Sequence, residues 1–278
     1  MKQHTLLVPT VFTGKGLHSG KPVTMRVLPA PAGAGIRFLR TDLDPGAFVD
    51  ARVDLVAQTR RSTLLSQRGV TVLTPEHLLS ALYGLGVDNA LVELDAGEVP
   101  ILDGSAKPFA EAFLSGGLAE QEAERGYIVV KKPFVYEDSR SDSRITIEPS
   151  AVPSFEVTID FRSEVVGVQH AAFAEGEDYA AQVAPCRTFC FFHEIERLLK
   201  LGLIKGGDFE NALVVDEPKG YLGGKKPFFP NELARHKLLD LMGDFALAGR
   251  PLLGRVTAYK PGHKVNTQAL KLFMESAI

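Results

Sequence analysis

The sequence predicts an α+β protein of two similar domains, and three observations carry that reading. Strand-like runs crowd the start of each half and helical patterns its end. The order of sheet, helix, strand, loop and helix occurs twice, although residue identity between the halves is too low to establish duplication by itself. A stretch rich in Gly, Glu and Gln at residues 116–126 separates the copies, so domains are expected at residues 1–120 and 127–278. At 278 residues the chain is long enough for two cores.

In the first half, residues 5–12, 23–28, 35–39, 51–55 and 70–73 read as strands, punctuated by Gly14-Lys15-Gly16, Pro29-Ala30-Pro31 and Asp44-Pro45-Gly46. A helix over 76–83 follows, with Thr74 as its cap, Pro75 at the first position and Glu76 at the positive end. Next come a strand at 90–94, a loop at 100–104 and a helix over 105–114. The second half has strands at 127–136, 144–148, 155–161 and 167–173, and a capped helix over 231–248. A strand at 253–259, a glycine loop and a last helix through Met274 close it. An extra segment, Cys186 to about Asp216, breaks the plan. It carries a short helix over 193–200, and an insert near 190–212 is expected in the second domain.

Composition narrows the function classes. Hydrophobic residues make up 45% and charged residues 23%, as in a globular chain. A formal charge of -3 supplies no basic field for nucleic acid or an anionic membrane. No apolar run reaches the length of a membrane span, and the amino terminus lacks the plan of a signal peptide. Two cysteines, Cys186 and Cys190, make neither a disulfide framework nor a four-thiolate zinc site. A reducing cytoplasm and a monomer are expected.

Of seven histidines, His236 is the informative one. Within Arg235-His236-Lys237-Leu238-Leu239-Asp240-Leu241-Met242-Gly243-Asp244, a spacing of four puts His236, Asp240 and Asp244 on one helical stripe. Leu238, Leu241, Met242 and Phe245 fall on the opposite side, which should face the core. The stripe then reads most simply as a solvated face. Against this, Asp240 and Asp244 are like charges one turn apart, a cost of roughly a few tenths of a kcal/mol unless a cation compensates. Lys237 is one such cation, and a metal shared with His236 is the other.

Glu76-His77 also has two readings. One is an acid at a helix start beside a hydrogen-bonded histidine. The other joins the two helices: His77, His236 and Asp240 make a three-ligand zinc set with a fourth position for water, and Glu76 becomes the general base. Spacing alone leaves both open. His263, in Lys260-Pro261-Gly262-His263, holds the place in the repeated plan where a general acid for a leaving amine is needed. Thr188, in Arg187-Thr188-Phe189, carries a hydroxyl that can donate to an oxyanion. The run from Gly14 to Gly20 lacks the spacing and following helix of a P-loop, which excludes nucleotide hydrolysis of that type.

Several ordered motifs resemble one family over essentially the full length. They are Thr13-Gly14-Lys15-Gly16-Leu17-His18-Ser19-Gly20, Glu76-His77-Leu78 with Gly86-Val87-Asp88-Asn89, and Pro100-Ile101-Leu102-Asp103-Gly104-Ser105. Arg187-Thr188-Phe189, Gly206-Gly207, Asn211-Ala212-Leu213-Val214-Val215, Arg235-His236-Lys237-Leu238-Leu239-Asp240 and Ala258-Tyr259-Lys260-Pro261-Gly262-His263 continue the series. The chain thus resembles the UDP-3-O-acyl-N-acetylglucosamine deacetylases of Gram-negative bacteria, amidases at the committed step of lipid A synthesis.

The resemblance implies a duplicated β-α-α-β fold, a sandwich with helices between outer sheets and a small insert in each domain. It implies Zn2+ on His77, His236 and Asp240, with Fe2+ as the other candidate. It also implies Glu76 as base, His263 as acid with Asp244 orienting it, Thr188 at the oxyanion and Lys237 beside the metal. Lys260 falls near the nucleotide diphosphate, Asp160 and Phe161 near uridine, and Leu17 and Phe189 among further substrate contacts. Two positions depart from the family. A lysine used for the nucleotide aligns near Ser143 or Arg144, and Cys190 stands where glycine is usual. The implied partner is a small molecule, an acylated UDP-amino-sugar. The rival reading is a non-catalytic UDP-sugar or lipid-binding protein, which would need neither Glu76 nor His263. The extra segment's Ile195, Leu198, Leu199, Leu201, Leu203 and Ile204 exceed the apolar surface a short helix needs for docking. They are expected to wall a passage for the acyl chain.

Overall fold

Alternation of inward and outward side chains builds two sheets, each with one apolar face turned to helices. The computed structural model describes residues 1–276. The first half runs β1 (Lys2–Leu6), β2 (Thr10–Lys15), β3 (Pro22–Pro29), β4 (Ile36–Arg40) and β5 (Phe48–Asp50), then β6 (Val56–Gln58), β7 (Leu64–Gln67) and β8 (Val70–Leu73). Helix α1 (Glu76–Gly84), β9 (Ala90–Leu94) and α2 (Lys107–Gly116) complete it, and β10 (Leu118–Glu124) follows. The second half has β11 (Ile128–Val129), β12 (Phe134–Asp138), β13 (Ser143–Pro149), β14 (Ser154–Asp160), β15 (Val168–Ala174) and a single-turn α3 (Tyr179–Gln182). Then come β16 (Phe189–Phe191), α4 (Phe192–Lys200), β17 (Leu213–Asp216), β18 (Gly220–Tyr221), α5 (Glu232–Phe245), β19 (Leu252–Tyr259) and α6 (His263–Ser276).

The two large sheets share one topology. Their orders are β2-β3-β9-β4-β5 and β12-β13-β19-β14-β15, with β11 added beside β19. In both, the strand between the two helices lies at the centre, antiparallel to one neighbour (β3, β13) and parallel to the other (β4, β14). Val23, Met25 and Val27 of β3 and Phe155, Val157 and Ile159 of β14 point into the core. Phe109 and Phe113 of α2 meet Phe12 edge-on at 5.0 and 5.9 Å. Each unit carries a three-stranded insert, β6-β7-β8 in the first and β16-β17-β18 with α4 in the second. Helix α5 packs on β14 and β15 and, through its other side, on α1. At that crossing a Cβ on Gly243 would stand 2.1 Å from the Glu76 carbonyl oxygen, so only glycine lets the helices approach this closely.

Several local expectations are corrected. The run at 5–12 breaks into β1 and β2, because Pro9 has no N–H for the ladder. The run at 127–136 breaks likewise around Pro133. Residues 53–55 form a 3-10 turn rather than a strand. The stretch at 116–126 contains a strand, β10, pairing antiparallel with β1. Thr74 does not cap α1: its hydroxyl is 3.1 Å from Glu98, and Asn231 gives α5 no side-chain cap either. Among the described residues no helix is long and apolar enough to cross a membrane.

Candidate metal centre and active site

The stripe on α5 is buried, not solvated. His236, Asp240 and Asp244 are 1%, 2% and 1% exposed, because α1 and α6 pack over the face that periodicity alone assigned to water. Helix α1 brings His77 to the same place. Its Nε2 lies 3.6 Å from Asp240 Oδ1, and His236 Nε2 lies 3.5 Å from the same oxygen. The ligand atoms of the three residues fall within 4.8 Å of one another, a spacing that could hold a metal ion. Asp240 Oδ1 and His77 Nδ1 are buried with no hydrogen-bond partner in the protein. An orphaned carboxylate oxygen at this depth costs free energy unless a cation meets it.

The surroundings tune these donors for ligation. His236 Nδ1–H donates to the Cys186 carbonyl at 3.0 Å, which leaves Nε2 facing the cluster. Burial pushes the His236 imidazole down to about 3, so it is neutral. Burial would raise Asp240, but its positively charged neighbours, Lys237 and His263 among them, hold it well below the usual carboxylate range. Lys237 Nζ donates to Asp240 Oδ2 at 2.7 Å and lies 5.4 Å from the Phe189 ring centroid.

A second set of titratable groups adjoins the cluster. Glu76 is 2% exposed, and burial raises its carboxyl to about 7 against the lowering effect of His263. Its Oε1 is 3.5 Å from His263 Nε2. Burial alone would lower His263, yet the carboxylates of Asp244, Glu76 and Asp240 lift it to about 10. The Asp244 contact is 2.9 Å, from His263 Nδ1 to Oδ2. Asp244 is itself held by Thr63 Oγ1 at 2.7 Å and Asn266 Nδ2 at 2.9 Å. Thr63 also donates its backbone N–H to Glu76 Oε2 at 3.3 Å, joining the Asp244 and Glu76 carboxyl groups. Asn266, three residues beyond His263 on one helix, was within reach of the spacing rule; nothing local marked Thr63.

Glu76, His77, His236, Lys237, Asp240 and His263 line one cleft of about 540 Å3, together with Thr188, Phe189, Phe161 and Lys260. Thr188 is held through its backbone, its N–H donating to the Gly104 carbonyl at 2.8 Å. Asp160 does not line the cleft but pairs with Lys260, whose Nζ is 3.5 Å from its Oδ2 and 2.8 Å from Asp142. Ser143 lines the cleft and gives its hydroxyl to the Lys260 carbonyl. Arg144 does not line it; its Nε is 3.6 Å from Glu137, and Arg140 and Lys264 join Lys260 among the basic residues that do.

A smaller apolar cavity of about 210 Å3 adjoins the cleft, sharing Leu17, Arg61, Thr188, Phe189 and Cys190 with it. Ile195, Leu198, Leu199 and Ile204 line it. Leu201 and Leu203 do not: Leu201 is exposed, and Leu203 closes the end of α4 with its N–H on the Leu198 carbonyl and leaves the wall to Ile204.

Fold and cluster define a class: an α+β sandwich with a buried His-His-Asp centre of metal-binding type where its helices meet. Residues 3–275 match the family described as LpxC: UDP-3-O-acyl N-acetylglycosamine deacetylase, and the chain belongs to that family. A UDP-3-O-acyl-N-acetylglucosamine deacetylase of Myxococcus xanthus is 42% identical over 273 residues, 98% of this chain and 86% of that protein. One from an Anaeromyxobacter species is 44% identical over 269 residues, 96% of this chain and 86% of its own length. A bifunctional enzyme LpxC/FabZ of Porphyromonas gingivalis is 41% identical over 294 residues, which is 98% of this chain but 64% of that protein. The chain thus spans less than two thirds of such bifunctional relatives.

Proposed function

We propose that this chain is a cytoplasmic zinc amidase that removes the N-acetyl group of UDP-3-O-acyl-N-acetylglucosamine, the committed step of lipid A synthesis. Acetate and the free 2-amino sugar nucleotide are the products. The observation that carries this reading is the facing of Glu76 and His263, one carboxyl and one imidazole 3.5 Å apart, across a His-His-Asp cluster.

His77, His236 and Asp240 would hold the zinc ion, which when bound would supply Lewis acidity toward the acetyl carbonyl and acidify water toward a pKa of about 7. Glu76 accepts the proton of the attacking water. Its elevated carboxyl pKa makes it a stronger base than an exposed glutamate, and it is charged above about 7. The Thr188 hydroxyl donates to the oxyanion, and Lys237 supplies positive charge beside Asp240. His263, kept cationic by Asp244, delivers its proton from Nε2 to the departing amine. Lys260, Asp160 and Phe161 form the nucleotide end. Phe189 and Leu17 stand at the junction with the apolar cavity, where Ile195 and Leu198 take the acyl chain.

The test is incubation of purified, zinc-loaded protein with the acylated UDP-amino-sugar while acetate is measured. Stoichiometric acetate supports the proposal; tight binding without acetate would make the chain a UDP-sugar or lipid binder.

A further inference from the structure

Glu98 is a buried carboxylate that none of the chemistry above uses. It is 3% exposed, follows β9 in the turn toward Pro100, and pairs through its backbone with Leu73. Its Oε1 accepts the backbone N–H of His18 at 2.8 Å and is 3.1 Å from the Thr74 hydroxyl, while Oε2 accepts the N–H of Ser19 at 2.8 Å. Two peptide N–H groups and one hydroxyl replace its water. The approach is possible because residue 16 is glycine: a Cβ there would lie 2.2 Å from Glu98 Oε2.

Each donor leads to a different part of the site. Leu17, between Gly16 and His18, lines both the cleft and the apolar cavity. The Leu17 carbonyl accepts the Gly206 N–H at 2.9 Å, and His18 Nδ1 accepts the Ile204 N–H at 3.3 Å, so the same loop holds the cavity wall beyond α4. Thr74 lies in the left-handed region at φ 58°, two residues before Glu76, and its N–H donates to the Thr63 carbonyl at 3.0 Å. One carboxylate thus ties the loop that walls the chain cavity to the turn that launches the base.

We propose that Glu98 is a positioning residue for chain recognition: its carboxylate holds Leu17 and the Ile204 wall in register with Glu76, so that a seated acyl chain presents the acetamide to the base. The inference rests on the deacetylase reading. The conservative Glu98→Gln puts an NH2 against one of the donors, and the loop at residues 17–19 must shift. Zinc-loaded wild type and Glu98→Gln are compared on the acylated UDP-amino-sugar and on UDP-N-acetylglucosamine, with zinc content and product binding by calorimetry measured alongside. For the variant, kcat/KM on the acylated substrate falls about 10- to 100-fold, the scale of losing hydrogen bonds to a buried charge. The unacylated substrate loses under about threefold, zinc is retained, and acylated product binds more weakly by a similar factor. Glu98→Asp, which keeps the charge, shifts selectivity the same way by less, and serves if Glu98→Gln does not fold. Equal losses on both substrates, or unchanged product affinity, overturn the inference. A wild type inactive on both substrates defeats the deacetylase reading instead.

Discussion

Arg187→Met attacks the site from behind, without touching a group that meets substrate. The Arg187 Nε and Nη2 donate to Glu232 at 2.9 and 3.1 Å, and its backbone N–H adds a third bond at 3.0 Å. Its guanidinium also donates to the Lys226 carbonyl at 2.8 Å and stacks 3.9 Å from the Phe228 ring centroid. Glu232 opens the helix that carries His236 and Asp240 and is fully buried at 0% exposure. Removing the guanidinium strands that carboxylate, which costs about 3–5 kcal/mol for a buried pair broken on one side. With a urea m-value of about 3 kcal/mol/M, the midpoint should fall by roughly 1–1.7 M. Urea titration of metal-free protein, followed by circular dichroism, measures this. The double variant Arg187→Met/Glu232→Leu should recover most of the loss, because no charge is then left unpaired. A single-variant loss under about 1 kcal/mol, the scale of a solvated pair, would refute the reasoning, as would a double variant no more stable than the single.

Four further outcomes are expected. A strong chelator should abolish acetate release and zinc restore it, with His77→Ala and Asp240→Ala losing metal and activity together; full turnover by protein shown free of metal by elemental analysis contradicts this. Glu76→Gln should retain zinc yet lose roughly 10²–10⁴-fold in rate, the range for a positioned base, and near-normal turnover would remove Glu76 from that role. The kcat/KM profile should be bell-shaped, rising as Glu76 loses its proton near pH 7 and falling as His263 loses its own toward pH 10. Asp244→Asn should bring the basic limb down by about two pH units, since burial then acts on His263 with less opposition; an unmoved limb argues against His263 as the acid. Deleting the acyl chain from the substrate should cost about 10³-fold in kcat/KM, from five or six methylenes at about 0.8 kcal/mol each. Ile204→Glu, in the cavity wall, should narrow that gap by harming only the acylated substrate.

Most of the fold was legible because its signals are local. Period-two runs produced β3, β4, β8, β9, β13, β14, β15 and β19 within a residue or two, and the helical patterns around His77, His236 and Met274 produced α1, α5 and α6. Strand β7 carries no such signal, and the run at 51–55 reads as a strand yet folds as a turn at 53–55, because short apolar stretches do not distinguish the two. Leu203 was assigned to the cavity wall on composition, but side-chain direction at the end of α4 depends on a turn that composition does not encode.

By itself the sequence determined the repeated order of elements, the spacing of His236, Asp240 and Asp244, and the motifs that align with one family. Periodicity on α5 separated that stripe from Leu238, Leu241, Met242 and Phe245, but taken alone it favoured solvent over a metal as the tenant of the stripe. Only the tertiary structure removed the solvent reading, leaving a buried cluster that could hold a metal. Gly243 lets α1 close against α5, α6 brings His263 over Asp244, and Asp240 Oδ1 is left buried without a protein donor. Burial and orphaned polar atoms arise from contacts between segments far apart in the chain, and no spacing within a single helix encodes them.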